Sequence, residues 1–115
     1  MKFEEVNLYK AAHKIILECS KIQSKMNKSF KYTLGSDLCN NALDISKYLF
    51  IAYEEQENRE EKIRNIKIIR QTLQQVLILI RIAHDLNLIK HEDYVSVMPF
   101  IENSFLQTKK WINKA

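Results

Sequence analysis

Lys10, Lys14, Lys21 and Lys25 recur at intervals of four, seven and four residues, the spacing that stacks side chains along one side of an α-helix. Together with Lys28, if the helix persists that far, they fall within an arc of about 60° and form a ladder about 27 Å long. A second basic stripe, Arg64, Lys67, Arg70 and Arg81, follows later in the chain. Rows of fixed cations suit the phosphates of a nucleic-acid backbone, which they neutralise with release of counterions and little regard to base sequence. The competing reading is a solvated helix face, because Lys is the default surface residue. The second stripe tips the balance, being poor in acids where a solvated face mixes its signs.

Residue types that could catalyse are scarce and poorly placed. Carboxylate-bridged metal bundles set a Glu three residues before a His, but the residues three before His13, His84 and His91 are Lys10, Arg81 and Leu88. His13 and His84 each have a cation on their own face, so both read as surface or interface histidines and no metal ligand set is expected. Cys19 and Cys39 fall on apolar helical positions, where a thiolate is costly and a buried free thiol is the simpler reading. With a single glycine, Gly35, no phosphate-binding loop can form. The expectation is a non-enzymatic protein without a cofactor. Tyr9, Tyr32, Tyr48, Tyr53 and Trp111 read as packing or interface aromatics, since nothing in their spacing indicates base stacking.

Composition sets the frame that must hold these residues. The 115-residue chain is the size of one domain spanning 1–115, and its one glycine and one proline leave little punctuation for hairpins or crossovers. With 46% hydrophobic and 28% charged residues, an all-α soluble protein is expected. The longest apolar run, Val76 to Ile80, is far short of the roughly 20 residues that span a bilayer, and Met1 to Glu5 opens with acids rather than a secretory leader; the reading is cytoplasmic, with no membrane partner. The net charge of +4 hides a segregation. Segments 1–33, 34–61, 62–90 and 91–115 carry +4, −5, +5 and 0, a pattern that predicts a basic face able to meet a polyanion.

Helical periodicity predicts four elements. From Phe3 to about Met26, Leu8, Ala12, Ile15, Cys19, Ile22 and Met26 share one side, opposite the lysine ladder. Asn27 to Tyr32 breaks the pattern, and Thr33 is a candidate N-cap for a second helix over about Leu34–Glu55, with Leu34, Leu38, Ala42, Ile45, Leu49 and Ala52 inward. An acidic connection from Glu54 to Glu61 leads to a third helix, about Arg59–Leu86, with a core stripe of Ile66, Ile69, Leu73, Val76, Ile80 and Ala83. After a turn at Asn87–Lys90, a fourth helix from His91 to about Asn113 faces inward through Tyr94, Val97, Met98, Ile101, Phe105, Thr108 and Ile112. Pro99 lies well past its first turn and predicts a kink or a restart. The expected fold is an antiparallel up-and-down four-helix bundle.

Two helices are greasier than one bundle requires. Cys39, Leu43 and Phe50 sit on a flank of the second helix well round from Ile45, and Ile78 and Ile82 fall on the otherwise polar side of the third. These five residues predict a second dry contact, and hence a homo-oligomer interface.

Phe30-Lys31-Tyr32-Thr33-Leu34-Gly35, Ala42-Leu43 with Ile45, Ile82-Ala83-His84-Asp85-Leu86 with the following Tyr94, and Trp111-Ile112 resemble the accessory variability determinant (Avd) proteins of diversity-generating retroelements. These belong to a wider group of small four-helix-bundle proteins that includes those encoded by intervening sequences of ribosomal RNA genes. Ile51-Ala52-Tyr53-Glu54-Glu55 stands where the ribosomal branch carries an Asn-x-x-Glu-Gly type ending, which favours the Avd branch. The resemblance implies a homopentameric barrel of basic protomers that binds the element's reverse transcriptase and its RNA or cDNA during mutagenic copying. Two alternatives stay open at this point: an RNA-binding protein of the intervening-sequence type, and a helical adaptor for protein partners without a nucleic-acid role.

Overall fold

The computed structural model describes residues 3–55 and 57–115; residues 1 and 2, part of the leader reading, and Gln56 of the acidic connection lie outside it. Among the described residues there are four long helices, α1 (Phe3–Lys25), α3 (Leu34–Glu54), α4 (Arg59–Asp85) and α5 (His91–Lys114), with one short helix, α2 (Lys28–Lys31), in the first connection. The fold is an all-α four-helix bundle. Its long axis of 46 Å is close to the about 40 Å of a 27-residue helix such as α4, so the helices run the length of the molecule.

Each long helix packs on two neighbours in the cyclic order α1, α3, α4, α5, and among the described residues the backbones of the diagonal pairs make no close approach. Contacts fix the directions. The end of α1 meets the start of α5 through Lys25 and Asp93, and Glu18 meets Ser96. Likewise Gln23 of α1 bonds Ser36 near the start of α3 while Cys19 pairs with Cys39 further along it. Residues 84 and 91 meet at one end of the α4–α5 pair and 70 and 108 further along. Each of these pairs is antiparallel.

The apolar stripes close as expected. All six predicted core residues of the first helix and all six of α4 are buried, as are Leu38, Ala42, Ile45, Leu49 and Ala52 of α3 and Val97 and Ile101 of α5. Periodicity also left Trp111 undecided between core and interface; it is core, 2% exposed, at the end where the α3–α4 hairpin closes. There Lys62 lays its stem along apolar surface, with its Nζ 5.8 Å from the centre of the Trp111 ring.

Of two local expectations, one fails and one narrows. Thr33 does not cap α3: its hydroxyl turns back and donates to Ser29 O and Phe30 O, closing α2 instead. The cap that does form is Asn58, whose side chain accepts from Glu61 N–H at 3.1 Å at the start of α4. Pro99 causes no restart, because α5 continues through it; both Pro99 and Val95, whose carbonyl loses its helical donor, are exposed to water.

The corners are held by specific groups. Asn87 takes φ 59° at the end of α4, with Leu88 N–H donating to Ala83 O and Asn87 N–H to His84 O, a left-handed cap that turns the chain into α5. At the α1–α3 corner, Gln23 donates to Lys31 O at 2.9 Å and accepts from the Cys39 thiol at 3.2 Å. Gly35 packs directly beneath it, where an added Cβ would lie 2.8 Å from Gln23 Cγ.

Candidate nucleic-acid interface

The two basic stripes stand on the two helices that flank α5. On α1, Lys10 and Lys14 are exposed and form no ion pair among the described residues. Lys21 is loosely paired with Glu18 at 3.6 Å. Lys25 is committed: its ammonium donates to Asp93 Oδ1 at 2.8 Å, and that hydrogen bond with the carboxylate charge raises its pKa above the ordinary lysine value. On α4, Arg64 pairs with Glu61 at 2.7 Å, while Lys67 and Arg81 are exposed and unpaired among the described residues.

Arg70 also ties two helices together. Its guanidinium donates from Nη1 to both Phe105 O and Thr108 Oγ1 of α5, each at 2.8 Å, and lies over the Phe105 ring. The side chain is half-buried. Arg70 sits on the α5 side of α4, so packing draws it partly inward as a tie between helices, with its Nη1 donors engaged there.

What remains is Lys10 and Lys14 on one flank of α5 and Lys67 and Arg81 on the other. Exposed Lys109 and Lys110 on α5 itself extend the basic surface. Sequence reasoning misses those two, although they adjoin Trp111; their segment balances to zero charge and so gives no signal. Diagonally opposite lies α3, with exposed Asp37, Asp44 and Glu54 against a single Lys47. Exposed Glu92 and Glu102 on α5 offset part of the basic charge, so the unpaired cations lie mainly on the α1 and α4 flanks of α5, away from the more acidic α3.

Between α1 and α5 the basic flank opens into a cleft of about 290 Å³ lined by Asn7, Lys10, Ala11, Lys14, Phe100 and Asn103. Ala11 is buried and gives the cleft a low floor, and Phe100 is half-buried against the core.

The five residues expected at an oligomer interface are split. Leu43, Phe50, Ile78 and Ile82 are 53%, 63%, 43% and 41% exposed. Cys39 is instead half-buried and turned to α1, its thiol donating to Gln23 Oε1 and Cys19 O. Leu43 and Phe50 lie one and three turns beyond Cys39 on the same flank of α3 and so border α1, whereas Ile78 and Ile82 stand on α4. They make two apolar strips rather than one patch.

Neither thiol is a ready nucleophile. Burial, with Cys39 and Glu18 adding repulsion, pushes Cys19 up to about 12, and burial raises Cys39 as well. His84 and His91 meet through Nε2 and Nδ1 at 3.2 Å beside the Tyr94 ring, a contact made by the tight Asn87 turn that sequence spacing does not suggest. Among the described residues no group of three or more His, Cys, Asp or Glu side chains is placed to hold a metal ion, and no helix is long and apolar enough to cross a membrane.

No family model matches the chain, and neither the curated proteins nor the solved structures give a match to it.

Proposed function

We propose that this protein is a non-enzymatic, oligomeric scaffold that binds a nucleic-acid backbone through the surface centred on α5. The observation that carries the reading is the placement of Lys10, Lys14, Lys67 and Arg81, exposed and free of ion pairs among the described residues, on the two helices that border α5. Cations left unpaired on one side of a bundle whose far side is acidic favour a polyanionic partner over a solvated face. The sequence motifs that resemble Avd proteins supply the finer reading: a cytoplasmic accessory protein of a diversity-generating retroelement, working with a reverse transcriptase and its template RNA or cDNA. The exposed Leu43, Phe50, Ile78 and Ile82 suit the homo-oligomer, a pentamer by that resemblance.

A salt titration of labelled RNA and DNA tests the nucleic-acid role. Log affinity should fall with log salt, by about 0.7 to 0.9 for each phosphate contact. Replacing Lys10 and Lys14 by Glu should weaken binding to unrelated sequences by similar factors, and Lys67→Ala should make the slope shallower by about one for each phosphate it no longer neutralises in the complex. Affinity indifferent to salt and to these changes would leave a protein-interaction adaptor as the better reading. Co-purification with a reverse transcriptase encoded beside the gene tests the retroelement assignment separately.

A further inference from the structure

The α1–α5 cleft joins three kinds of group, two of which a row of phosphates alone does not require. The first is a ring: Phe100, half-buried and braced against the core, lines one wall. The second is a pair of amides. Asn103 has its Oδ1 engaged by Gln107 Nε2 at 3.2 Å, which leaves its Nδ2 hydrogens as donors, and Asn7 on the opposite wall has no hydrogen-bond partner among the described residues. The third is charge, from Lys10 and Lys14 one helical turn apart at the rim. The neighbouring cleft at the other end of α1 offers a contrast. It is larger, about 390 Å³, but its Lys25 is already neutralised by Asp93 and no aromatic residue lines it.

We propose that the cleft between α1 and α5 receives one unstacked base of a single-stranded nucleic acid, with Phe100 against its face, Asn7 and Asn103 at its edge, and Lys10 and Lys14 on the adjoining phosphates. The inference rests on the nucleic-acid reading above and adds a preference for single strands. A base inside a duplex has both faces covered by its neighbours, so a recessed ring meets only a base that has left the stack. Stacking on an aromatic ring is tolerant of base identity, which keeps the site compatible with sequence-independent binding. At about 290 Å³ the cleft lies at the small end of ligand-sized sites, on the scale of one nucleotide rather than a stacked run. Charge and lining together select the occupant: an apolar ligand would leave both lysines unused, and a small inorganic anion would leave the Phe100 ring without a partner.

The test is fluorescence anisotropy at fixed salt with three probes: a single-stranded oligonucleotide, a backbone of the same length whose nucleotides are abasic, and a blunt duplex. Wild-type protein should bind the abasic strand about tenfold more weakly than the base-bearing one. Phe100→Leu, which keeps an apolar side chain on the core, should remove that difference and leave abasic and duplex binding unchanged, while Lys10→Glu with Lys14→Glu should weaken all three. Equal affinity of wild-type protein for base-bearing and abasic strands would overturn the base site even if the lysine changes still act, and the backbone-binding function would stand without it. If the lysine changes alter nothing, the nucleic-acid function itself falls. Should Phe100→Leu unfold by circular dichroism, exposed Asn103→Ala replaces it, and the abasic comparison in wild-type protein decides.

Discussion

Arg70 reaches from α4 to Thr108 of α5, donating from Nη1 to Oγ1 at 2.8 Å, while the Thr108 hydroxyl donates in turn to Phe105 O at 2.8 Å. One cation thereby joins two helices through a buried hydroxyl and the Phe105 carbonyl. Arg70→Met keeps the apolar stem and loses the charge-assisted bonds, so it should cost about 2 kcal/mol of stability. Lys67, one turn earlier and exposed, should show the reverse: Lys67→Glu leaves the urea midpoint near wild type and weakens nucleic-acid binding, whereas folded Arg70→Met binds normally. Urea melts alongside anisotropy for the two variants check the split.

Gly35 is in a helix, where alanine ordinarily adds up to about 1 kcal/mol. Here the sign should invert. The new methyl would press on Gln23 Cγ at 2.8 Å and on Met26 Sδ at 3.1 Å, and Gln23 is not free to move without giving up its bonds to Lys31 O and Cys39. Gly35→Ala should destabilise by about 1 kcal/mol. In a Gln23→Ala background the same change should be neutral or stabilising, and a double-mutant cycle would read that coupling directly.

Burial gives Cys19 a pH signature. Its folded pKa is about 12 against an ordinary value of 9.0. Above pH 9 the unfolded chain releases a proton that the folded state keeps, so this contribution to stability is complete below about pH 9 and is lost as pH rises toward 12, by up to about 1.4 kcal/mol per unit. Between pH 8 and 10.5 wild type should lose about 2 kcal/mol more than Cys19→Ala, since the lysines and tyrosines common to both cancel in the difference. Parallel denaturation curves for the two proteins across that range would refute it.

The apolar strips predict assembly. Leu43→Glu and Ile82→Glu each place a carboxylate on an exposed position, so neither should lower the stability of an isolated bundle by more than about 0.5 kcal/mol. In an oligomer that buries the strip, the same charge is trapped in a dry contact and should shift the particle toward smaller species. Light scattering with circular dichroism separates the cases. A wild-type particle of monomer mass at micromolar concentration would remove the second contact altogether.

Helix positions and core stripes could be read from the chain because both depend on periodicity. Leu8 through Met26 and Ile66 through Ala83 are buried in the structure where a spacing of three or four residues placed them, since an apolar stripe on a helix has no stable place but against other stripes. The capping of the helices was less legible. A hydroxyl at Thr33 can satisfy a donor ahead of it or a carbonyl behind it, and the formation of α2 chose the carbonyl; Asn58, among acids, was hidden by its neighbours although its side chain makes the cap.

Sequence alone determined that the chain carries two cationic stripes and apolar residues on the outer flanks of two helices, because composition and angular position are properties of single helices. Only the tertiary structure decided which of those groups remain available. Two positions on one stripe, Arg70 and Lys67, differ by about 60° around the helix, yet the first falls against α5 and engages Phe105 and Thr108 through Nη1 while the second faces water. Lys25 and Asp93 are 68 residues apart and no local pattern joins them; the antiparallel packing of α1 on α5 does. The α1–α5 cleft arises the same way, because Asn7 and Lys10 meet Phe100 and Asn103 only when two helices distant in sequence lie side by side, and the small Ala11 leaves the space between them open.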